Sequence, residues 1–251
     1  MYYNIHSKFI LTPIFNILEE AADVSQVMGN GIGTQPLCEY VMQSTFLKMT
    51  GALEQKLKCI CWEIATNDYE YRQKLLRHNN GEYSDYNAKK AVFDELLSQI
   101  RTQEEDFDVR SIIKTGEYTT PPDKVQSWID DMTKKVFSML ERTTMRFWLP
   151  REFNEMRLHA GQLNSRQLFQ NGSLFGNELQ KDYKTVVYDH RNRCAHNLKS
   201  YQENLPKLNT LTNETYLYEN YFYRYILLIV LDEIFILLFQ KYLDTRLTMW
   251  Q

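Results

Sequence analysis

An all-α fold is predicted by three features of this 251-residue chain. Turn-forming residues are scarce, with 9 Gly and 6 Pro, whereas a sandwich or barrel of many short strands needs frequent turns. Apolar residues recur at three- and four-residue steps over long stretches, the spacing of one helix face. Hydrophobic residues make up 43% and charged residues 24%, ordinary globular proportions that exclude a disordered chain. The length suffices for a core without disulfides or metal.

Taken in order, residues 8–28 carry helical spacing (Phe9, Ile10, Ile14, Ile17, Leu18, Ala21), with Thr12-Pro13 as a start signal. MGNGIGTQP, residues 28–36, reads as a loop. Its glycines do not form a nucleotide cradle, because no β-branched strand precedes them and no Lys-Ser/Thr follows. Residues 37–77 read as one long helix through Val41, Phe46, Leu47, Leu53, Leu57, Ile60, Cys61 and Ile64. HNNGEYSDYN (78–87) breaks it, and a helix over about 88–102 follows with Val92, Leu96, Leu97 and Ile100. Residues 94–108 hold six acids against Arg101, a net −5, which reads as a solvated face. Thr119-Thr120-Pro121-Pro122-Asp123 starts a helix that reaches about Leu149, before Pro150. Residues 151–172 are polar, a short helix plus loop. Two helices close the chain, 174–200 and 213–246, separated at Asn204-Leu205-Pro206. No repeat or linker divides the chain, so the expectation is one helical domain over 1–251. Its core spans about 37–246, and residues 1–36 are left open as an N-terminal appendage.

Charge and cysteine usage narrow the function classes. The net charge of −3 gives no global basic field, so nucleic-acid contact must come from local patches. Cys38, Cys59, Cys61 and Cys194 form no C-x-x-C pair and no metal-finger spacing. They read as reduced thiols of a cytoplasmic protein. The opening MYYNIHSKFILTPIF lacks signal-peptide features. The apolar run Tyr225 to Phe239 is short for a membrane span and carries Asp232 and Glu233 at its middle. It reads as a buried core helix, and no membrane partner is expected.

The informative segment is DHRNRCAHN, residues 189–197, which holds Asp189 and two of the five histidines. The wider stretch 181–199 has five cations against two carboxylates, a net +3 that suits a phosphate-bearing ligand. Arginine presents a permanently charged fork matched to phosphate oxygens. Histidine exchanges protons near neutrality. RNA brings its own nucleophile, the 2′-OH, so an enzyme acting on it needs neither metal nor cofactor. It must deprotonate that hydroxyl, stabilise the phosphorane and protonate the leaving 5′ oxygen. Asn192 and His196 are four residues apart and share a helix face. Arg191 lies about 140° around an ideal helix from His196, so it must reach around, or the helix must distort or end. Candidate RNA contacts are Lys184, His190, Arg193, Asn197 and Lys199. A second basic stretch, Arg142, Arg146, Arg151, Arg157 and Arg166 against Glu152 and Glu155, reads as a solvated helix face, with an RNA-facing groove as the alternative. Glu54 reads as a helix-pairing or surface acid.

The composite Arg191-Asn192-Arg193-Cys194-Ala195-His196 resembles the signature of HEPN-superfamily ribonucleases, in which Arg precedes His by four to six intervening residues near a helix end. It is most similar to the RNxCAH form of bacterial abortive-infection and toxin proteins. An early helix with an internal acid (Ala52-Leu53-Glu54), the motif on a late helix and a long apolar last helix extend the resemblance over about 37–246. The resemblance implies an all-α HEPN-like bundle with long N- and C-terminal helices. It also implies a metal-independent endoribonuclease that leaves 2′,3′-cyclic phosphate and 5′-OH ends, acting as a toxin or antiphage effector. Arg191 would stabilise the scissile phosphate, His196 would act as general acid/base, and Asn192 would position either. Leu198 stands where one toxin subtype carries a nucleotidylated tyrosine, so that regulation is not implied. A single motif supplies one histidine. A homodimer with a composite site is therefore expected, alongside an antitoxin or regulatory partner. Tyr216, Tyr218, Tyr221, Phe222, Tyr223 and Tyr225 offer either interface or core aromatics. The alternative is a catalytically inactive helical module that binds nucleotide, RNA or a partner protein.

Overall fold

The computed structural model describes residues 4–29, 31–77, 83–113, 121–160, 163–196 and 220–248. The fold is all-α: among the described residues the sole β-pairing is an isolated bridge between Leu168 and Phe175. The helices are α1 Ile5–Leu11, α2 Phe15–Ser25, α3 Gln35–Asn67, α4 Tyr69–Arg77, α5 Tyr86–Arg101, α6 Pro121–Glu141, α7 Met145–Trp148, α8 Pro150–Ala160, α9 Asn177–Asp182, α10 Asp189–His196 and α11 Tyr221–Thr248.

The long helices α3 and α11 pack together at the centre, and α1, α5, α6 and α8 surround α11. From Phe222 to Leu231, α11 is buried on every side, as expected of a helix that is apolar all round. No described helix is long and apolar enough to cross a membrane. Phe222, Tyr223 and Tyr225 belong to this core, the second of the two alternatives left open for them. Tyr216 and Tyr218 lie outside the described residues.

Asp232, the acid inside the apolar run, is matched by a cation on α3. Lys56 Nζ lies 2.6 Å from Asp232 Oδ1, with both side chains 2% exposed. Asp232 Oδ2 also accepts the Ile14 N–H at 2.8 Å, an orphan donor at the start of α2. Burial pushes Asp232 up and Lys56 down, and the attraction between them offsets part of both shifts.

Three boundaries depart from the periodicity. The first helix is two helices, because Pro13 holds Thr12 in an extended conformation. Its residues Ile10, Ile14, Phe15 and Leu18 are buried in the common core, so this segment is no appendage to the rest. The helix expected over 37–77 breaks at Asp68, whose backbone is extended. Asp68 Oδ1 accepts the Tyr71 N–H at 3.0 Å and Oδ2 accepts from Gln99 Nε2 at 2.6 Å. This is an N-cap set inside a continuing apolar pattern. The helix expected to run to Leu149 ends at Glu141, and the short α7 follows. Asp85 caps α5 through the Ala88 N–H at 2.7 Å.

Candidate functional site

The motif sits at the end of one continuous helical run. Between α9 and α10, residues Tyr183–Tyr188 form a turn of π-helix, and the Asp189 N–H donates to the Lys184 carbonyl five residues back. Such a turn redirects carbonyls that an α-helix would use internally. The partner is Arg224 of α11, 1% exposed, whose Nε donates to the Val186 carbonyl at 2.8 Å. The π turn delays the helix phase. It therefore sets which side of α10 faces α3.

Arg191 meets α3. Its Nη2 donates to Glu54 Oε2 at 3.2 Å and its Nη1 to Asn192 Oδ1 at 3.2 Å. The Arg191 side chain is 26% exposed and that of Glu54 16%, so the guanidinium is oriented from within yet reachable from solvent. Glu54 is therefore a helix-pairing acid, and its partner is the motif arginine. His196 is the last residue of α10, and its side chain lies outside the described residues, as do Asn197 and Lys199.

Of the remaining expected RNA contacts, Lys184 is exposed and Arg193 is half-buried, while His190 turns inward. The His190 ring packs against Phe46 and Tyr221, with centroids 5.1 and 5.2 Å away. Its Nε2 is 3.1 Å from the Tyr221 hydroxyl, and Arg193 Nη2 is 3.4 Å from its Nδ1. Desolvation, with Arg224 and Arg193 nearby, drives the imidazole pKa down to about 2. A neutral ring that receives Arg193 on Nδ1 carries its proton on Nε2, towards Tyr221. His190 thus packs between α10, α3 and α11, and the half-buried Arg193 bonds to its ring.

Behind Arg191 lies chemistry that the sequence reading passed over. Glu54, Lys89, Tyr183, Tyr188 and Arg191 line a cavity of about 10 Å³, room for a single water. Lys89 is 1% exposed. Its Nζ donates to the carbonyls of Tyr83 at 2.5 Å and Ser84 at 2.9 Å, and the Tyr183 hydroxyl donates to the same Ser84 carbonyl at 3.2 Å. Burial lowers the Lys89 pKa to about 7, against the raising influence of Glu54 and Asp85. The available signal was its position: Lys89 falls on the apolar stripe Tyr86, Val92, Phe93, Leu96 of α5, where a lysine is buried and paired or not there at all.

In the second basic stretch, Arg151 pairs with Glu155 at 3.0 Å and Arg146 stacks over Phe147 at 4.4 Å. Arg142 and Arg166 are exposed, as a solvated face would have them. Among the described residues, no three or more His, Cys, Asp or Glu side chains are grouped to hold a metal ion.

No family model, curated protein or solved structure matches the chain.

Proposed function

We propose that the chain is a metal-independent endoribonuclease that cleaves RNA by attack of the 2′-OH on the adjacent phosphodiester. The O2′–P bond forms as the P–O5′ bond breaks, leaving a 2′,3′-cyclic phosphate and a 5′-OH. The observation that carries this reading is the Arg191 guanidinium, fixed by Glu54 and Asn192 at 3.2 Å each while part of it stays open to solvent. Fixed, water-reachable cationic donors are what stabilise charge developing on a phosphorane. Arg191 binds and neutralises the phosphate, His196 exchanges the protons, and Asn192 positions the guanidinium. Lys184 and Lys199 track the RNA backbone, and Asn197 adds a polar contact. The resemblance to HEPN toxins supports a defence or toxin role in the cytoplasm, a homodimer with a composite site, and an antitoxin or regulatory partner.

The Glu54 pairing also favours a second reading, an inactive helical module in which Arg191 ties α10 to α3. One experiment separates them: incubation of the protein with total RNA in EDTA, with product ends identified by mass spectrometry. Cleavage with cyclic-phosphate ends that disappears in His196→Ala and Arg191→Ala supports the enzyme. Intact RNA with the folded wild type, together with lowered stability of Arg191→Ala, supports the module.

A further inference from the structure

We propose that Lys89 is a positioning residue for Arg191, acting through the Glu54 carboxylate, and that the charge on Lys89 sets how tightly the Arg191 site holds a phosphate-type anion. This rests on the reading of Arg191 as the phosphate-binding residue.

The cluster is built from four elements. Glu54 comes from α3, Lys89 and its neighbour Asp85 from the start of α5, Tyr183 from the π turn and Arg191 from α10. The apolar Leu228 of α11 closes the cavity. Glu54 is bonded to Arg191. Glu54 and Lys89 line the same cavity, and of the nearby carboxylates Glu54 raises the Lys89 pKa most, ahead of Asp85, while Arg191 lowers it. Tyr183, fully enclosed, stays protonated because burial raises its pKa well above the ordinary value. The Lys89 ammonium lies 5.3 Å from that ring centroid, a favourable cation–π placement.

Charge bookkeeping over Lys89, Glu54 and Arg191 then gives the direction. With Lys89 protonated the trio is net positive, and Glu54 divides its attraction between two cations. With Lys89 neutral the trio has no net charge, and Glu54 is committed to Arg191. An incoming phosphodiester is held more tightly in the first state, and its own charge favours proton uptake by Lys89. Enclosure beside Arg191 in the same small cavity lowers the Lys89 pKa to about 7, so affinity should fall as pH rises through neutrality. A unit charge several ångströms away in a half-buried site changes anion affinity by about tenfold.

The test uses a fluorescent ten-nucleotide oligodeoxyribonucleotide, which lacks the 2′-OH and is not cut. Anisotropy is measured from pH 6 to 8.5 on the full chain carrying His196→Ala, so that the proton-exchanging residue of the site does not contribute. With Lys89 in place this protein should lose about tenfold in affinity over the range, and with Lys89→Met added it should bind weakly throughout, without that step. Equal pH dependence in both overturns the proposal. A second measurement, the NMR titration of the ¹³C-labelled Lys89 side chain, needs no nucleic acid. Its midpoint should move down in Glu54→Gln and up in Arg191→Gln, and a midpoint unmoved in both overturns the coupling. If the oligonucleotide binds at no pH, the phosphate-binding role of Arg191 fails, and with it the proposal as stated. The titration then reports separately whether the three charges are coupled.

Discussion

Replacing Lys56 by methionine keeps the aliphatic stem and removes the ammonium that faces Asp232 at 2.6 Å in a 2%-exposed environment. What remains is a buried carboxylate whose described protein contact is the Ile14 N–H at 2.8 Å. Stranding one partner of a buried pair costs about 3–5 kcal/mol. For a chain of this length that is a drop in Tm of about 6–20 °C. Asp232 can escape part of the penalty by taking a proton, because burial already raises its pKa and loss of Lys56 raises it further. The folded state then binds a proton that the unfolded state has released. Stability of Lys56→Met should therefore fall with rising pH, by about 1.4 kcal/mol per unit, from the unfolded carboxylate range up to the raised folded value. The double variant Lys56→Met/Asp232→Asn keeps the acceptor for Ile14 and removes both charges. It should recover to within about 2 kcal/mol of wild type. Urea unfolding followed by circular dichroism at pH 5 and pH 7 measures wild type, Lys56→Met, Asp232→Asn and the double variant. Single variants that cost under about 1 kcal/mol, or a double variant equal to the sum of the singles, would refute the buried-pair argument.

Three further outcomes are expected. Arg191→Lys should cleave RNA at least about tenfold more slowly than wild type while unfolding normally, since an ammonium cannot span Glu54 and Asn192 as a fork does; an unchanged rate removes the bidentate role. Arg224→Met withdraws the donor that holds the Val186 carbonyl. It should destabilise the chain by about 1–3 kcal/mol and speed amide exchange at Val186 to Asp189, which leaves the π turn without its cause if exchange there is unaltered. Light scattering should give a dimer, and mixing inactive Arg191→Ala with inactive His196→Ala chains should not restore full activity if each composite site needs both residues from both copies; a monomer cleaving at full rate removes the shared site.

Local patterns were legible where the physics is local. Apolar spacing located α3 and α5, the start signal around Pro121 located α6, and the short apolar run with acids at its middle identified α11 as a core helix. Proline at 13 and Asp at 68 were readable as breakers only in principle. At Asp68 the apolar rhythm continues, and what ends the helix is a capping bond reinforced by Gln99, 31 residues away. The composite around Arg191 to His196 drew attention to α10, but the packing of His190 against Phe46 and Tyr221 was not legible, because those partners are distant in sequence.

The sequence by itself determined that the chain is helical and where most helices lie, and it singled out nine residues dense in polar and charged side chains. Tertiary structure alone decided what those residues face. Glu54 and Arg191 are 137 residues apart, Lys56 and Asp232 are 176 apart, and Arg224 reaches back 38 residues to Val186. Hydrophobic periodicity follows from the helix repeat and is written into neighbouring residues. A buried charge is stable only with its partner, and that partner is chosen by packing between helices, which no local pattern records.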